Sequence, residues 1–515
     1  MEILAANLTV AYYAVCALLT VLGLYRAAIL LAWLRPRTPR QPDTEPARWP
    51  RVTVQLPIYN ERFVARRLLQ AVAALDYPPD RLQIQVLDDS TDSTRVLTRR
   101  IVRVLRRRGL DVEHVHRPRR AGFKAGALAN GLRSATGELV AIFDADFVPA
   151  RDFLRRTVPA LLAPGVGVVQ TRWGHLNRES SWFTRLQAIL LDGHFAIEQP
   201  ARWSNAWLLT FNGTAGIWRR QAIEAAGGWQ SDTLTEDLDL SIRAQLAGWK
   251  IRYLEEVVVP AELPTDPNSF RAQQRRWAKG GVQVARKMLP RIAGAALPWH
   301  AKIEAMFHMS SYAAYPLLIL LALLRTPARV LAPESSWAGL LPGELVLLTV
   351  GTLPLAAYYV LAQRAAGAPG GLRRWLLDVF PAMALGAGLA VGNALAVLEG
   401  LFGKGLVFER TPKRGELAAE HADPLRSPTP GRARQVRHPR VPAYRAPGAR
   451  IAVLEILLLA YLVLCKVLYS GRSLFGEFPF LSFFAFGLLA MSAPSLHEAW
   501  CRARSRRAVP ATAVP

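Results

Sequence analysis

Two kinds of hydrophobic patterning divide the chain. Residues 9 to 33, 303 to 324, 338 to 363, 377 to 400, 451 to 470 and 475 to 499 are long, nearly continuous apolar windows. Each holds about 20 residues or more, and a helix rising about 1.5 Å per residue crosses a hydrocarbon core of about 30 Å at that length. The windows therefore predict an integral membrane protein. Between the first and second windows the pattern is different. "RVTVQLPIYNE" is a β-rich run that ends in a polar loop, and "RFVARRLLQAVAALDYP" has helical spacing and is stopped by Pro78. "LQIQVLDDSTDST" predicts a second strand, "TRVLTRRIVRVLRRRG" an arginine-rich helix, and "ELVAIFDAD" a third strand. Strands alternating with helices predict a mostly parallel sheet covered on both faces, whose ligands bind at the carboxyl ends of the strands.

Charge changes the picture in one respect. The formal net charge of +25 suggests a polyanion partner, but much of the excess flanks the apolar windows, at Arg35 to Arg40, 371 to 375, Lys404 to Arg450 and 501 to 507. Basic residues there mark cytoplasmic loops and attraction to anionic membrane lipids, and no recognised nucleic-acid motif accompanies them. No nucleic-acid partner is expected. The same rule predicts the N-terminus outside, residues 35 to 300, the loop 401 to 450 and the C-terminal tail inside, and hence five crossings. The window at 377 to 400, with its glycines, an Asn and a Glu, then becomes a re-entrant or interfacial helix. The first window has only Glu2 before it and its basic cluster after it, so it predicts a retained anchor, not a cleaved signal. Three cysteines, Cys16, Cys465 and Cys501, offer neither a disulfide framework nor metal-ligand spacing.

Two strands end in carboxylates: Asp88 and Asp89 close one, Asp144 and Asp146 another. Asp144 and Asp146 are two residues apart and so project to the same side of a strand end, where their like charges need a cation between them. A hard divalent ion with remaining positions for phosphate oxygens suits the pair; a turn or a helix cap is the plain structural alternative. "GFKAGALANG" puts Lys124 in a glycine-flanked loop, either to meet a phosphate or as a solvated surface charge. Thr235, Glu236 and Asp237 precede "LDLSIRAQLAG", as helix-stabilising first-turn acids or with one of them as general base. Gln273, Arg276 and Trp277 lie in an amphipathic segment. Glu455 and Lys466 sit inside an apolar window, to snorkel or to line a polar path.

Taken in order, Asp88-Asp89, Asp144-x-Asp146, Thr235-Glu236-Asp237 and Gln273-x-x-Arg276-Trp277 resemble the D, DxD, (T/E)D, QxxRW signature of membrane-embedded family 2 inverting glycosyltransferases. The wording around these motifs, including "FKAGALA" and "FNGTAGIWRR", is most similar to the cellulose synthase-like A group, the glucomannan 4-beta-mannosyltransferases, and bacterial relatives. The resemblance implies an α/β GT-A catalytic domain, Rossmann-like with a mostly parallel sheet, inserted between transmembrane α-helices. It implies that Asp88 and Asp89 contact the base and ribose of a nucleotide-sugar donor, UDP-glucose or GDP-mannose. Asp144 and Asp146 would hold Mg2+ or Mn2+ on the diphosphate, Lys124 and Arg276 would touch phosphates, and Asp237 would be the base. Gln273, Trp277 and Glu236 would contact the acceptor, a growing glycan or a lipid.

"KGLVFERTPKRG" resembles the FxVTxKG gating motif through Phe408, Thr411, Lys413 and Gly415, with Arg410 and an inserted Arg414 as departures. The expected organisation is an anchor at 1–34, a cytoplasmic catalytic domain at 35–267 and interfacial helices with QxxRW at 268–300. Transmembrane helices with a re-entrant or interfacial helix follow at 301–400, then a basic gating-type loop at 401–450, two transmembrane helices at 451–500 and a basic tail at 501–515. The expected function is a processive inverting β-glycan synthase in the inner membrane. A non-processive glycolipid synthase and an inactive scaffold or transporter subunit are the alternatives.

Overall fold

The computed structural model describes residues 2–35, 44–331, 346–403, 415, 448–468 and 477–507. Seven strands, β1 (Val52–Ile58), β2 (Leu82–Asp88), β3 (Asp111–His116), β4 (Leu139–Ile142), β5 (Val166–His175), β6 (Gly216–Arg219) and β7 (Lys250–Ala261), form one sheet in the order β3-β2-β1-β4-β6-β5-β7. β6 runs antiparallel to its neighbours β4 and β5, and the other pairs are parallel. The helices of this half are α1 (Glu2–Leu34), α2 (Ala65–Ala73), α3 (Thr94–Arg107), α4 (Phe123–Leu132), α5 (Phe153–Leu162), α6 (Trp182–Asp192), α7 (Gln199–Ser204), α8 (Arg220–Ala225), α9 (Glu236–Leu246) and α10 (Pro267–Gly294). The membrane half adds α11 (Trp299–Ser310), α12 (Ala314–Leu331), α13 (Leu353–Ala365), α14 (Gly371–Gly388), α15 (Ala390–Phe402), α16 (Gly448–Leu468) and α17 (Glu477–Arg507).

Period-two alternation decides what each strand face does. Val52, Val54, Leu56 and Ile58 of β1 and Leu82, Ile84 and Val86 of β2 join one core with Leu68, Leu69 and Val72 of α2. The opposite faces carry a buried polar ladder. Thr53 Oγ1 donates to Gln83 Oε1 at 2.8 Å and Gln55 Nε2 to Gln85 Oε1 at 3.0 Å, so most of the polar atoms under α4 have partners, Gln55 Oε1 excepted. β3, "DVEHVH", escapes the sequence reading: it is a sheet edge, mostly half-buried, without the apolar run of a central strand.

The same alternation separates Asp88 from Asp89. Asp88 ends β2 fully buried and turned inward. Its Oδ1 accepts from Ser90 N at 2.9 Å, and its Oδ2 meets Thr98 Oγ1 at 2.6 Å and His114 Nε2 at 3.0 Å. Burial pushes its carboxyl up, but these bonds more than offset that and hold it at about 2.

Among the described residues, Glu2–Leu34, Trp299–Leu331 and Arg450–Leu468 are long and apolar enough to cross a membrane. α14 and α15 meet that test only as a pair bent by 46°, a broken span or re-entrant element, in keeping with the expectation for 377 to 400. The windows at 338 to 363 and 475 to 499 are helical where described but are not among the spans. Glu455, expected to snorkel or to line a path, does neither: it is fully buried and pairs with Arg271 at 2.8 Å. A second buried cluster ties the catalytic half to the membrane helices. Arg202 of α7 donates to Glu304 of α11 at 2.8 Å and to the Tyr25 hydroxyl of α1 at 3.1 Å.

Because the Asp88 carboxyl is held below its ordinary range, its contribution to stability is present above about pH 4 and is lost as pH falls through about 2. Asp88→Ala is expected to lower thermal stability by about 2–3 kcal/mol. Nucleotide affinity, measured by titration calorimetry on the folded variant, is expected to stay at the wild-type value.

Candidate active site

Ending β4 at Ile142 leaves "FDADF" at the carboxyl edge of the sheet. The chain turns there, with Phe147 N donating to Asp144 O at 3.1 Å, while Ala145 enters the core and Asp144 and Asp146 face an open cavity. The turn expected as the structural alternative is present, and it serves to aim both carboxylates outward. Lys124, expected in a loop, is the second residue of α4, preceded by Gly122 with a left-handed backbone at φ 70°. Its Nζ lies 2.5 Å from Asp144 Oδ1 and donates to Gly213 O at 2.9 Å. The cation beside the Asp pair is therefore this ammonium.

Glu236 and Asp237 occupy the first turn of α9, with Thr235 at the N-cap position but making no side-chain cap bond. Asp237 Oδ1 accepts from Leu238 N at 2.8 Å, and Oδ2 lies against Gly213. Burial and then the Asp237 charge push Glu236 up to about 7, while burial also raises Asp237. Asp144 is raised by burial, which Lys124 opposes. Lys124 is raised on balance: burial lowers it, but Asp144, Glu236 and Asp237 outweigh that.

Gln273, Arg276 and Trp277 stand at i, i+3 and i+4 on α10, one face of the helix, and all three line the same cavity as Asp89, Lys124, Asp144, Asp146, Glu236 and Asp237. Of the expected residues that the structure describes, only Asp88 lies apart. Phe408, Thr411 and Lys413 fall outside the described residues. Gly415 of the same motif is described. Its N–H donates to Glu262 Oε1 at 2.9 Å, beside the cavity that Glu262 lines, and its backbone at φ 66° leaves no room for a Cβ against Phe63 O.

Several residues in or beside the cavity were missed by the motif reading. Arg117 grips Asp89 with two bonds, Nε to Oδ1 at 2.9 Å and Nη2 to Oδ2 at 2.5 Å. Arg120 lies over the Tyr59 ring at 3.6 Å, and both line the cavity. Trp173 stacks on Phe195 and reaches Trp277 at 6.5 Å between ring centroids. The available signal was position: Tyr59 and Arg117 each follow directly after a strand, where a parallel sheet places its ligand residues.

Among the described residues no group of three or more His, Cys, Asp or Glu side chains surrounds a point where a metal ion would sit. A divalent ion at Asp144 and Asp146 would draw its remaining oxygens from elsewhere, which suits an ion that arrives with a diphosphate.

A mostly parallel sheet with paired carboxylates, a first-turn acid and cations around one strand-end cavity defines a sugar-transferring enzyme of the GT-A type. The model of the glycosyltransferase-like family 2 matches residues 50–280. Glucomannan 4-beta-mannosyltransferase 7 of Arabidopsis thaliana is 34% identical over 466 residues, covering 86% of this chain and 77% of its own. Glucomannan 4-beta-mannosyltransferase 2 of the same plant is 42% identical over 286 residues, and that match spans about half of each protein, 53%. A mannosyltransferase of Pyrobaculum calidifontis, solved in complex with GDP-Man and Mn2+, matches with a TM-score of 0.53 and 25% identity over 78% of this chain and 100% of its own. The chain belongs to the family 2 glycosyltransferases, alongside the glucomannan 4-beta-mannosyltransferases of the cellulose synthase-like group.

Gly213 carries the Lys124 contact on its carbonyl and has φ 82°; an added Cβ would lie 2.8 Å from Asp237 Oδ2 and 3.3 Å from Lys124 Nζ. Gly213→Ala is expected to cost about 1–2 kcal/mol of stability through its backbone alone. It should also reduce transfer far more than Ala substitution at the exposed Gly109, which has a similar φ and open space around it. Parallel melting and turnover measurements on the two variants check this.

Proposed function

We propose that this chain is a processive, inverting β-mannan or glucomannan synthase that takes GDP-mannose as donor, works with Mg2+ or Mn2+, and elongates a β-1,4-linked glycan at the cytoplasmic face of the membrane. The observation that carries the proposal is the convergence of Asp89, Lys124, Asp144, Asp146, Asp237, Gln273, Arg276 and Trp277 on one cavity. The choice of mannose over glucose is supported by the mannosyltransferase names of the relatives and the GDP-Man bound to the Pyrobaculum enzyme. Apolar helices before and after the catalytic domain support a product that leaves through the membrane.

In this reading Asp89, braced by Arg117, faces the nucleoside, and Lys124 and Arg276 face the diphosphate. A divalent ion, held by Asp144 and Asp146, supplies positive charge to the leaving group when bound. Asp237 accepts the proton of the attacking hydroxyl, and the buried, polar surroundings of the pair keep its affinity for that proton high. Trp277 and Gln273 hold the acceptor sugar by ring face and amide. Attack opposite the diphosphate converts an α-linked donor to a β-linked product.

Purified protein in lipid vesicles, given radiolabelled GDP-mannose and Mn2+, is expected to make polymer that a β-mannanase digests. An organic-extractable product would favour a glycolipid synthase instead, and no transfer from GDP-mannose or UDP-glucose would refute the enzyme reading. Asp237→Asn is expected to reduce transfer by about 10²-fold or more while nucleotide affinity persists.

The raised carboxyls of Glu236 and Asp237 also set a pH dependence. A base works only when ionised, so with Asp237 raised by burial turnover is expected to rise with pH above the ordinary carboxylate range and then level off. Burial and then the Asp237 charge raise Glu236, whereas burial raises Asp237, so Glu236→Gln is expected to leave the rising limb in place. Loss of the rising limb in Glu236→Gln would make Glu236, not Asp237, the base.

A further inference from the structure

α10 turns Gln273, Arg276 and Trp277 toward the cavity and a second stripe of cations toward the membrane helices. Arg275 donates to Gly392 O at 2.7 Å and to Glu399 at 2.9 Å, Lys279 to Glu399 at 3.3 Å, and Arg286 to Gly400 O at 3.1 Å, all on α15. Arg271, which begins the stripe, is held more deeply and is 2% exposed. Its guanidinium donates to Glu455 Oε2 of α16 at 2.8 Å, to Ser495 Oγ and Met491 O of α17 at 3.0 and 2.9 Å, and to Asn268 Oδ1 at 3.0 Å. The Arg271 stem passes beside Gly392 of α15, where an added Cβ would stand in ordinary contact, 3.6 Å from Arg271 Cγ. Three helices, α10, α16 and α17, thus meet at one guanidinium.

A buried ion pair is a costly way to hold helices together, because both charges must leave water; apolar residues of similar volume hold helices as well or better. Such a pair does impose direction and length, which apolar packing does not. We infer that Arg271 and Glu455 are positioning residues for the transfer reaction, fixing the register of α10 against α16 and α17 and so the placement of Gln273, Arg276 and Trp277. A slip of one residue along a helix moves every side chain by about 1.5 Å and turns it by about 100°. The inference rests on the reading of those three residues as diphosphate and acceptor contacts. Neither Arg271 nor Glu455 lines the cavity, so any effect they have on transfer runs through the helix.

The test uses full-length protein in lipid vesicles and two variants. Glu455→Gln is expected to lower transfer by roughly 10²-fold and to weaken GDP affinity in Mn2+ by no more than Arg276→Ala does. Amide hydrogen exchange is expected to accelerate over residues 271–281 and to stay unchanged over 139–146. The double variant Arg271→Met with Glu455→Leu is expected to fold with a melting temperature at or above wild type and still transfer poorly. A double variant that transfers at the wild-type rate overturns the inference, as does a Glu455→Gln protein that transfers at the wild-type rate with exchange over 271–281 unchanged. If the wild-type protein transfers no sugar from any donor, the functional reading falls, and exchange over 271–281 still decides whether the pair holds α10.

Discussion

Four of the carboxylates around one cavity form the constraint on which this molecule depends. Asp144, Asp146, Glu236 and Asp237 line a shared space partly shielded from water, where like charges repel far more than they would at a surface. The structure meets the constraint in two ways. Lys124 lies against Asp144 and faces the acidic pair of α9 through Gly213, and Glu236 is pushed toward its protonated form. A sugar nucleotide accompanied by a divalent ion changes that balance when it enters. The charge that is costly to gather in one place is the charge that gives the site its chemistry.

The sheet provides the geometry for this balance. Parallel strands deliver Asp89, Asp144 and Asp146 to one edge, and the helices that follow the later strands bring the acids of α9 and the QxxRW residues of α10. No single element makes the site. The elements are held by two buried polar joints, Arg202 with Glu304 and Arg271 with Glu455, each linking the catalytic half to a membrane-side helix. The boundary between the soluble and membrane parts is thus stapled by charge at places where apolar packing alone would allow sliding.

Much of the site was legible because chemistry dictates residue type and order: metal-compatible carboxylates, a base, and cations for a diphosphate leave few substitutes. Less legible was what the pleat does to neighbours. Asp88 and Asp89 look interchangeable in the chain, yet one turns into the core under Thr98 and His114 and the other into the cavity under Arg117. Lys124 read as a loop residue because glycines flank it, whereas the left-handed Gly122 starts a helix there. Glu455 found its partner 184 residues away, a pairing that no local spacing encodes. Tyr59 and Arg120 carry none of the four motifs; Tyr59 is marked by its place directly after β1, and Arg120 by its stacking on that ring.

Gly280 of α10 rests directly on Thr235, so close that a Cβ would come within 2.6 Å of the Thr235 methyl. Three residues along, Gln283 takes up the N–H of Leu234 at 3.0 Å. The helix that carries Gln273, Arg276 and Trp277 and the loop that leads into the acidic pair are therefore one fitted part. A chimera that imports α10 from a relative with a different acceptor would bring a foreign surface against Thr235. To change what this enzyme extends, the loop from 233 to 237 and the helix would have to be exchanged together.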